Sequence, residues 1–150
     1  MSRTAFAVAA VALAAALPAQ AQFAKPEDAI KYRQGVMFAQ QIHLGRIFAM
    51  ASGRVPFDAK AVQENAAILD VIDKLPFAAF GPGTDTGRQH NAKPEVWTER
   101  AKFDAAAKRM QDDVAKLNVA AQSGNLDQIK AAVGAVGQSC KACHDAFQKE

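Results

Sequence analysis

Residues 124–147 of this 150-residue chain, GNLDQIKAAVGAVGQSCKACHDAF, decide the fold. Asn125 is of a type favoured at helix N-termini, and Gln128 stands three residues later in the position of a capping box. Gly124 is a typical C′ residue of a preceding helix. Apolar side chains then recur at steps of three and four, which predicts one buried helix face: Ile129, Val133, Val136, Cys140, Cys143 and Phe147. Two helices joined by so short a connection must be antiparallel neighbours.

Three earlier segments share this period and predict helices over about residues 25–52, 58–74 and 94–123. Their expected apolar faces are Ile30, Met37, Leu44, Ile47 and Phe48, then Val62, Ala66, Leu69 and Ile72, then Phe103, Ala107, Met110, Val114, Leu117 and Ala121. A loop rich in glycine and proline, about residues 75–93, has neither a helix nor a strand period. The sequence therefore predicts a single-domain, all-α, antiparallel four-helix bundle.

The first 21 residues are predicted to be a cleaved signal peptide. Arg3 lies in a short positive region, residues 5–17 form an apolar run too short to span a bilayer, and Ala19-Gln20-Ala21 has the small-x-small pattern of a cleavage site. We expect a mature domain of residues 22–150 that is exported, in a bacterium to the periplasm, without membrane insertion.

Charge does not point to a partner class. The chain has 18 basic and 15 acidic side chains, and loss of Arg3 with the signal peptide leaves 17 basic ones, a net charge of +2. This balance gives no sign of a nucleic-acid partner, and we expect none. No nucleophile–base pair or carboxylate pair stands out at a useful spacing, so we do not expect an enzyme.

Cys140-Lys141-Ala142-Cys143-His144 has the C-x-x-C-H pattern of a c-type haem attachment site. Two thiols three residues apart on a helix can each add to one vinyl group of haem, and the following histidine is then placed to bind the iron. Export agrees with this interpretation, because c-type attachment occurs outside the bacterial cytoplasm. We expect one covalent haem c per chain, with Cys140 and Cys143 as thioether residues and His144 as an axial iron ligand.

Other uses of these cysteines fit less well. A disulfide between them would close almost no loop and stabilise little. A thioredoxin-like site needs a βαβ context, and zinc needs about four ligands, whereas His43 and His90 have no evident reason to converge on the motif. The alternative that stays open is an interaction bundle whose cysteines carry no haem.

The whole mature chain resembles the cytochrome c′ family of class II c-type cytochromes. The stretches that carry the resemblance are Pro26-Glu27-Asp28, Lys31-Tyr32-Arg33-Gln34, Leu75-Pro76, Ala78-Ala79-Phe80-Gly81-Pro82-Gly83-Thr84, Lys93-Pro94-Glu95 and Gly137-Gln138-Ser139. In class I cytochromes c the haem motif lies near the N-terminus, so its position on the last helix of this chain is informative.

The resemblance implies a left-handed antiparallel four-helix bundle with covalently bound haem, usually as a homodimer. It also implies a five-coordinate haem with an apolar distal face that binds nitric oxide and carbon monoxide. Gas binding, electron transfer with an unidentified redox partner, or both would be the function.

The resemblance further assigns roles to residues outside the motif. Arg33 and Gln34 match first-helix positions that contact the haem or its propionates, and Phe80 matches an aromatic residue of the haem pocket. Lys93 is a second candidate for a propionate contact, with an ordinary solvated lysine as an equal alternative. Met37 matches the residue over the distal haem face.

Met37 leaves two hypotheses open. In five-coordinate members an apolar side chain covers the iron at this position, whereas in low-spin electron-transfer relatives a first-helix methionine ligates it. A methionine suits either task, as a flexible packing residue or as a thioether ligand. Gln148, four residues after His144, is expected on the same helix face, where the family commonly has a basic residue.

Three remaining residues receive ordinary structural interpretations. His43 is predicted to be a surface or partly buried histidine and His90 a solvated loop histidine. Trp97 is predicted to serve packing or a dimer contact.

Overall fold

The computed structural model describes residues 23–149, and four long helices dominate this part of the chain. The elements are α1 (Pro26–Ala51), α2 (Ala59–Ile72), a 3₁₀ turn (Leu75–Ala79), α3 (Glu95–Thr98), α4 (Arg100–Ser123) and α5 (Leu126–Phe147). The described residues contain one isolated antiparallel bridge, between Ala92 and Gln148, and no strand. The prediction of an all-α antiparallel four-helix bundle is confirmed. The predicted signal peptide, residues 1–21, lies outside the described residues.

The predicted helix ends are confirmed where local capping sets them. Pro26 occupies the first turn of α1, where its missing N–H costs no hydrogen bond. The Asp58 carboxylate accepts hydrogen bonds from the backbone N–H groups of Lys60 and Ala61 at the start of α2. Gly124 ends α4 with φ of 65°, a left-handed conformation that glycine adopts at low cost.

The cap of α5 differs from a capping box. The Asn125 side chain accepts hydrogen bonds from the N–H groups of Asp127 and Gln128, each at 3.0 Å, as expected of an N-cap. The Gln128 side chain, however, meets the Ser123 hydroxyl at 3.1 Å instead of returning to the Asn125 N–H. That N–H donates to the same hydroxyl, so Ser123 of the preceding helix satisfies it.

The predicted third helix is two helices. Glu99 separates α3 from α4 with φ of −114° and ψ of 43°, outside the helical region. The change of direction lets Trp97 and Arg100 both reach the loop before α3: the Trp97 indole donates to the Gly81 carbonyl and Arg100 to the Phe80 carbonyl. A tertiary contact therefore overrides the uninterrupted helical period of the sequence.

The segment after α2 is more ordered than the sequence predicts. It begins with the 3₁₀ turn and ends against the C-terminus, where the Lys93 N–H donates to the Phe147 carbonyl at 2.8 Å. The Lys149 N–H donates to the Asn91 carbonyl at 2.7 Å. This segment thus links the start of α3 to the end of α5.

Two apolar clusters form the core. The larger one joins α1, α2, α4 and α5, and the smaller one consists of Phe80, Val96, Phe103 and Phe147 at the end of the bundle where α5 terminates. The predicted buried faces are largely confirmed. The prediction that Phe48 is buried is wrong, because Phe48 is 44% exposed, with the Arg54 guanidinium 4.9 Å from its ring centre. Ile72 is only partly buried.

None of the described helices combines the length and apolarity that crossing a bilayer requires.

Candidate functional site

The C-x-x-C-H residues lie on one face of α5, in its last two turns. Steps of three and four residues place Cys143 and His144 within about 60° of Cys140 around the helix axis, one on each side of it. Cys140 packs against the larger core and Cys143 against the smaller aromatic cluster, both partly buried. The His144 imidazole is exposed beside them. Local helix geometry alone therefore brings two thiols and an imidazole together.

Burial favours the neutral form of all three groups. Burial raises the pKa of the Cys140 thiol, and the negative charge of Asp113 adds to this effect. Burial also raises the pKa of the Cys143 thiol. Partial burial lowers the pKa of the His144 imidazole against the opposing charge of Asp145. A neutral imidazole is the form that binds a metal.

A metal site built from side chains alone is absent from the described residues, since no group of three or more His, Cys, Asp or Glu comes together in them. The two cysteines are free thiols. This combination suits covalent attachment of a cofactor better than chelation of an ion.

Met37 on α1 faces the same aromatic cluster as Cys143. It is partly buried and packs against the cluster that Phe80 and Phe103 form, together with Phe77. The rings of Phe80 and Phe103 meet edge to face at 5.0 Å, and those of Phe103 and Phe147 at 5.3 Å. The structure thus brings the predicted residues Met37, Phe80 and Cys143 to one apolar region.

Arg33, one turn before Met37 on α1, is 2% exposed. Its guanidinium donates from Nη1 to the Ala79 carbonyl at 3.0 Å and to the Thr84 hydroxyl at 3.1 Å, and from Nη2 to the Thr84 carbonyl at 3.0 Å. Burial lowers the pKa of Arg33 to about 10, against the opposing charge of Asp85. Arg33 is therefore still charged at neutral pH in the protein interior.

Gln34 is exposed and also contacts the loop. Its amide donates to the Gln89 carbonyl at 3.1 Å, and its amide oxygen accepts a hydrogen bond from Arg88 at 3.2 Å. The first-helix pair Arg33 and Gln34 therefore holds the segment between the 3₁₀ turn and α3 at two places.

Lys93 and Gln148 lie where that segment meets the end of α5. The Lys93 ammonium donates to the Asp145 carbonyl at 2.8 Å, a favourable site for a cation at a helix C-terminus. The expectation that Gln148 continues the His144 face of the helix is wrong. α5 ends at Phe147, and Gln148 is extended, with φ of −118° and ψ of 135°, because it pairs with Ala92.

His90 lies in the loop, as expected, but is only partly exposed and has backbone hydrogen bonds on both ring nitrogens. Its Nε2 lies 2.9 Å from the Asp85 carbonyl, and its Nδ1 accepts a hydrogen bond from the Ala92 N–H at 3.1 Å. His43 is partly buried as predicted, with Nδ1 2.8 Å from the Asn65 amide oxygen. The packing role of Trp97 agrees with its position beside Phe80, with ring centres 6.2 Å apart.

Sequence reasoning missed two residues of this region. Thr84 and Arg100 hold the loop through side-chain hydrogen bonds. Thr84 stands in the Gly81-Pro82-Gly83-Thr84 run, where a hydroxyl after a glycine-rich turn is a signal for a local turn bond. Arg100 has no comparable local signal, because its partner lies 20 residues away.

Two surface grooves in the described residues are at the opposite end of the bundle. They lie beside the end of α1 and the start of α5, between residues 48–57 and Lys130. They share no lining residue with the motif.

Comparison with known proteins identifies this arrangement. The family model described as cytochrome c′ matches residues 28–148. A cytochrome c′ from Rubrivivax gelatinosus is 50% identical over 129 residues, which cover 86% of this chain and 100% of that protein. This chain belongs to the cytochrome c′ family. Its cofactor is haem c, as the sequence predicts.

Solved cytochromes c′ share the fold. The crystal structure of the Rubrivivax gelatinosus protein has a TM-score of 0.84 at 51% identity, covering 85% of this chain and 100% of that one. A nitric oxide complex of a cytochrome c′ mutant from Alcaligenes xylosoxidans has a TM-score of 0.80 at 45% identity, covering 86% and 99%. A carbon monoxide complex of another variant of that protein has the same TM-score and identity, covering 86% and 100%.

Proposed function

We propose that this cytochrome c′ binds nitric oxide or carbon monoxide at a five-coordinate haem iron, transfers electrons, or does both, in the periplasm. The observation that supports the proposal is that Cys143 of the α5 motif and Met37 of α1 pack against the same apolar cluster, which contains Phe80. Haem c supplies a redox-active iron that can bind small diatomic ligands. The protein sets access, orientation and electrostatics around it.

Cys140 and Cys143 would hold the haem through thioethers, and His144 would be its axial ligand. Free, partly buried thiols one helical turn apart fit this role, as does an adjacent neutral imidazole. With both cysteines on a rigid helix, the attachment also fixes the orientation of the imidazole.

Gas binding is supported by the chemistry around Met37. Its neighbours in the smaller cluster are carbon-rich side chains, and aromatic rings dominate them. Such a surface excludes charged and strongly hydrated ligands, because it offers no compensation for lost hydration. Neutral diatomic gases lose little on entering it. The nitric oxide and carbon monoxide complexes of the Alcaligenes xylosoxidans relative agree with this proposal.

Arg33, Gln34 and Lys93 would make the polar contacts of the haem. The Arg33 cation is buried, and none of the carboxylates in the described residues lies within ion-pair distance of it. A propionate would supply a counter-charge, which a buried guanidinium favours strongly. Lys93 is the weaker candidate, because it is less buried than Arg33 and therefore needs a counter-charge less.

Mass spectrometry and spectroscopy of the purified protein test this function. From bacteria competent in cytochrome c maturation, we expect the mass of residues 22–150 plus one haem, which also checks the signal cleavage. Optical and EPR spectra should be those of a high-spin iron, and both gases should bind to the reduced form. A mass without haem would refute the attachment.

The second candidate function is electron transfer by a low-spin iron with His144 and Met37 as its two ligands. The observation in its favour is that Met37 and Cys143 pack against the same cluster. A methionine-to-iron charge-transfer band in the oxidised protein would establish this candidate and exclude the five-coordinate one.

We further propose that the protein is a homodimer. α1 exposes Phe38 at 63% and Ile42 at 39%, one turn apart on one face, and α2 exposes Val71 at 68%. Large apolar side chains on the outer surface of a helix pair favour contact with another apolar surface. A second copy of the chain supplies the same face in return.

A further inference from the structure

The loop over residues 79–84 is held by its carbonyl groups. Side chains from outside the loop donate to these oxygens: Arg33 to Ala79 and Thr84, Arg100 to Phe80, and Trp97 to Gly81. A loop without a helix or strand ladder would otherwise leave these acceptors to water. Its conformation is therefore set by three side chains of α1, α3 and α4.

Arg33 differs from the other two because it is buried and spans the loop. Its Nη1 and Nη2 bind the Ala79 carbonyl at one end and the Thr84 carbonyl at the other, both at 3.0 Å. Nη1 also reaches the Thr84 hydroxyl, which in turn donates to the Gly81 carbonyl at 2.8 Å. The planar fork of a guanidinium suits such multiple contacts, whereas the single nitrogen of a lysine does not.

The same guanidinium is stacked on Phe80. Its central carbon lies 4.2 Å from the centre of the Phe80 ring and 5.5 Å from the Trp97 ring. Arg33 thus holds both the backbone beside Phe80 and the face of its ring. Met37 and Cys143 pack against the same aromatic cluster.

We propose that Arg33 is a positioning residue: it clamps residues 79–84 so that the Phe80 ring forms a fixed wall of the apolar region beside Met37 and Cys143, and that wall limits the entry of gaseous ligands. The part about ligand entry rests on the proposed function. The clamp itself rests on the hydrogen bonds and the stacking contact alone.

The test compares Arg33→Gln and Arg33→Lys with wild type, all as haem-loaded protein. Amide hydrogen exchange of Phe80 and Thr84, whose N–H groups donate to the Phe77 and Gly81 carbonyls, reports the clamp. Because hydrogen bonds from a charged donor are stronger than neutral ones, their loss should speed exchange at least about tenfold in both variants. The association rate of carbon monoxide reports the wall and should rise at least about threefold in both.

Arg46→Gln is the matched control, because Arg46 is an exposed arginine on the same helix. It should change neither readout. If Arg33→Gln fails to retain haem, Thr84→Val removes one acceptor and one donor of the clamp and should speed exchange in the same segment.

Each result is decisive. Unchanged exchange in the Arg33 variants would overturn the clamp, and faster exchange with an unchanged association rate would overturn the wall. Normal behaviour of Arg33→Lys in both measurements would show that charge alone matters and would overturn positioning by the fork. A low-spin wild-type spectrum would refute gas binding at a five-coordinate iron and with it the wall, whereas exchange would still decide the clamp.

Discussion

The carboxyl group of Asp73, just after α2, is fully buried, and in the described part of the chain neither oxygen has a hydrogen bond of good geometry, the backbone N–H of Lys74 being its one weak polar contact. Burial raises the pKa of Asp73 from 3.8 to about 6, with Asp70 adding to the rise and Lys74 opposing it. A buried carboxyl with so little polar contact favours its protonated, neutral form. Asp73 therefore links protonation to folding.

The sign of this linkage follows from the raised pKa. The folded protein keeps a proton on Asp73 up to pH of about 6, whereas the unfolded chain releases it near pH 3.8. The free energy of unfolding therefore falls as pH rises through this window, by at most about 3 kcal/mol. The destabilisation is complete above the folded pKa and absent below the unfolded one.

We expect Asp73→Asn to remove this pH dependence. The amide does not titrate, so the stability of the variant relative to wild type should increase by up to about 3 kcal/mol between pH of about 4 and 7. Guanidinium unfolding of the haem-loaded protein measures it. Glu64→Gln, an exposed change on α2, is the control. A difference between Asp73→Asn and wild type that is constant with pH would contradict the linkage.

Met37→Ala separates the two iron coordination hypotheses. If Met37 only packs against the aromatic cluster, as we propose, the wild type and the variant both have high-spin spectra. If its sulfur ligates the iron, a low-spin wild-type spectrum becomes high-spin in the variant. Met50→Ala is the control, because Met50 lies near the other end of α1 in the larger core.

At the scale of elements, the α4–α5 connection concentrates local signals in two residues. Gly124 has φ of 65°, and nothing lies within 4 Å of the position that a Cβ would take. The cost of a side chain there is therefore one of backbone conformation and not of space. Asn125 adds the N-cap of α5.

We expect Gly124→Ala to lower the free energy of unfolding by about 1–2 kcal/mol, because an L-residue is strained in the left-handed region. Gly134→Ala is a matched comparison inside α5, where a Cβ again meets nothing within 4 Å. This second change should raise stability by about 0.5–1 kcal/mol through reduced chain entropy. Equal effects in denaturant unfolding would show that the φ of Gly124 is unimportant.

Asn125→Ala tests the cap itself. The change removes the acceptor of two backbone N–H groups and should lower the free energy of unfolding by about 1 kcal/mol. Asn91→Ala, in the exposed loop, replaces an asparagine for which only a backbone contact is seen and serves as the comparison. If Asn125→Ala lowers the free energy of unfolding no more than Asn91→Ala does in the same denaturant experiment, the result would argue against the cap.

At the scale of the whole molecule, the exposed face of α1 bears on assembly. We expect light scattering to find a dimer of the wild type and a monomer of Phe38→Glu, because a carboxylate in an apolar contact is strongly unfavourable. Val119→Glu is the control: Val119 is 73% exposed on α4, away from α1. A monomeric wild type would refute the proposed homodimer.

Much of the fold was predictable because its signals are local. Helix periods, the Asp58 and Asn125 caps and the glycine after α4 depend on residues within about four positions of each other. The C-x-x-C-H motif is local in the same sense, so the grouping of its three side chains on α5 follows from helix geometry. The site roles expected of Arg33, Gln34, Phe80 and Lys93 came from the family resemblance and not from a local pattern.

The predictions of helix bounds that proved wrong failed because of contacts between distant segments. The helical period runs through Glu99 without a break, yet Arg100 and Trp97 bind loop carbonyls 20 and 16 residues away. Gln148 follows the helical period from His144, yet its pairing with Ala92 ends the helix one residue earlier. In both places an interaction across the fold outweighs a weak local preference for helix.

The sequence by itself determined the four long helices, the antiparallel pairing of the last two and the face that carries both cysteines and His144, because each depends on short-range periodicity, capping or a short connection. Only the tertiary structure decided what Arg33 does. Its partners Ala79 and Thr84 lie 46 and 51 residues away along the chain. No local pattern reports on such a contact, and a buried guanidinium is stable only where the folded chain supplies its acceptors.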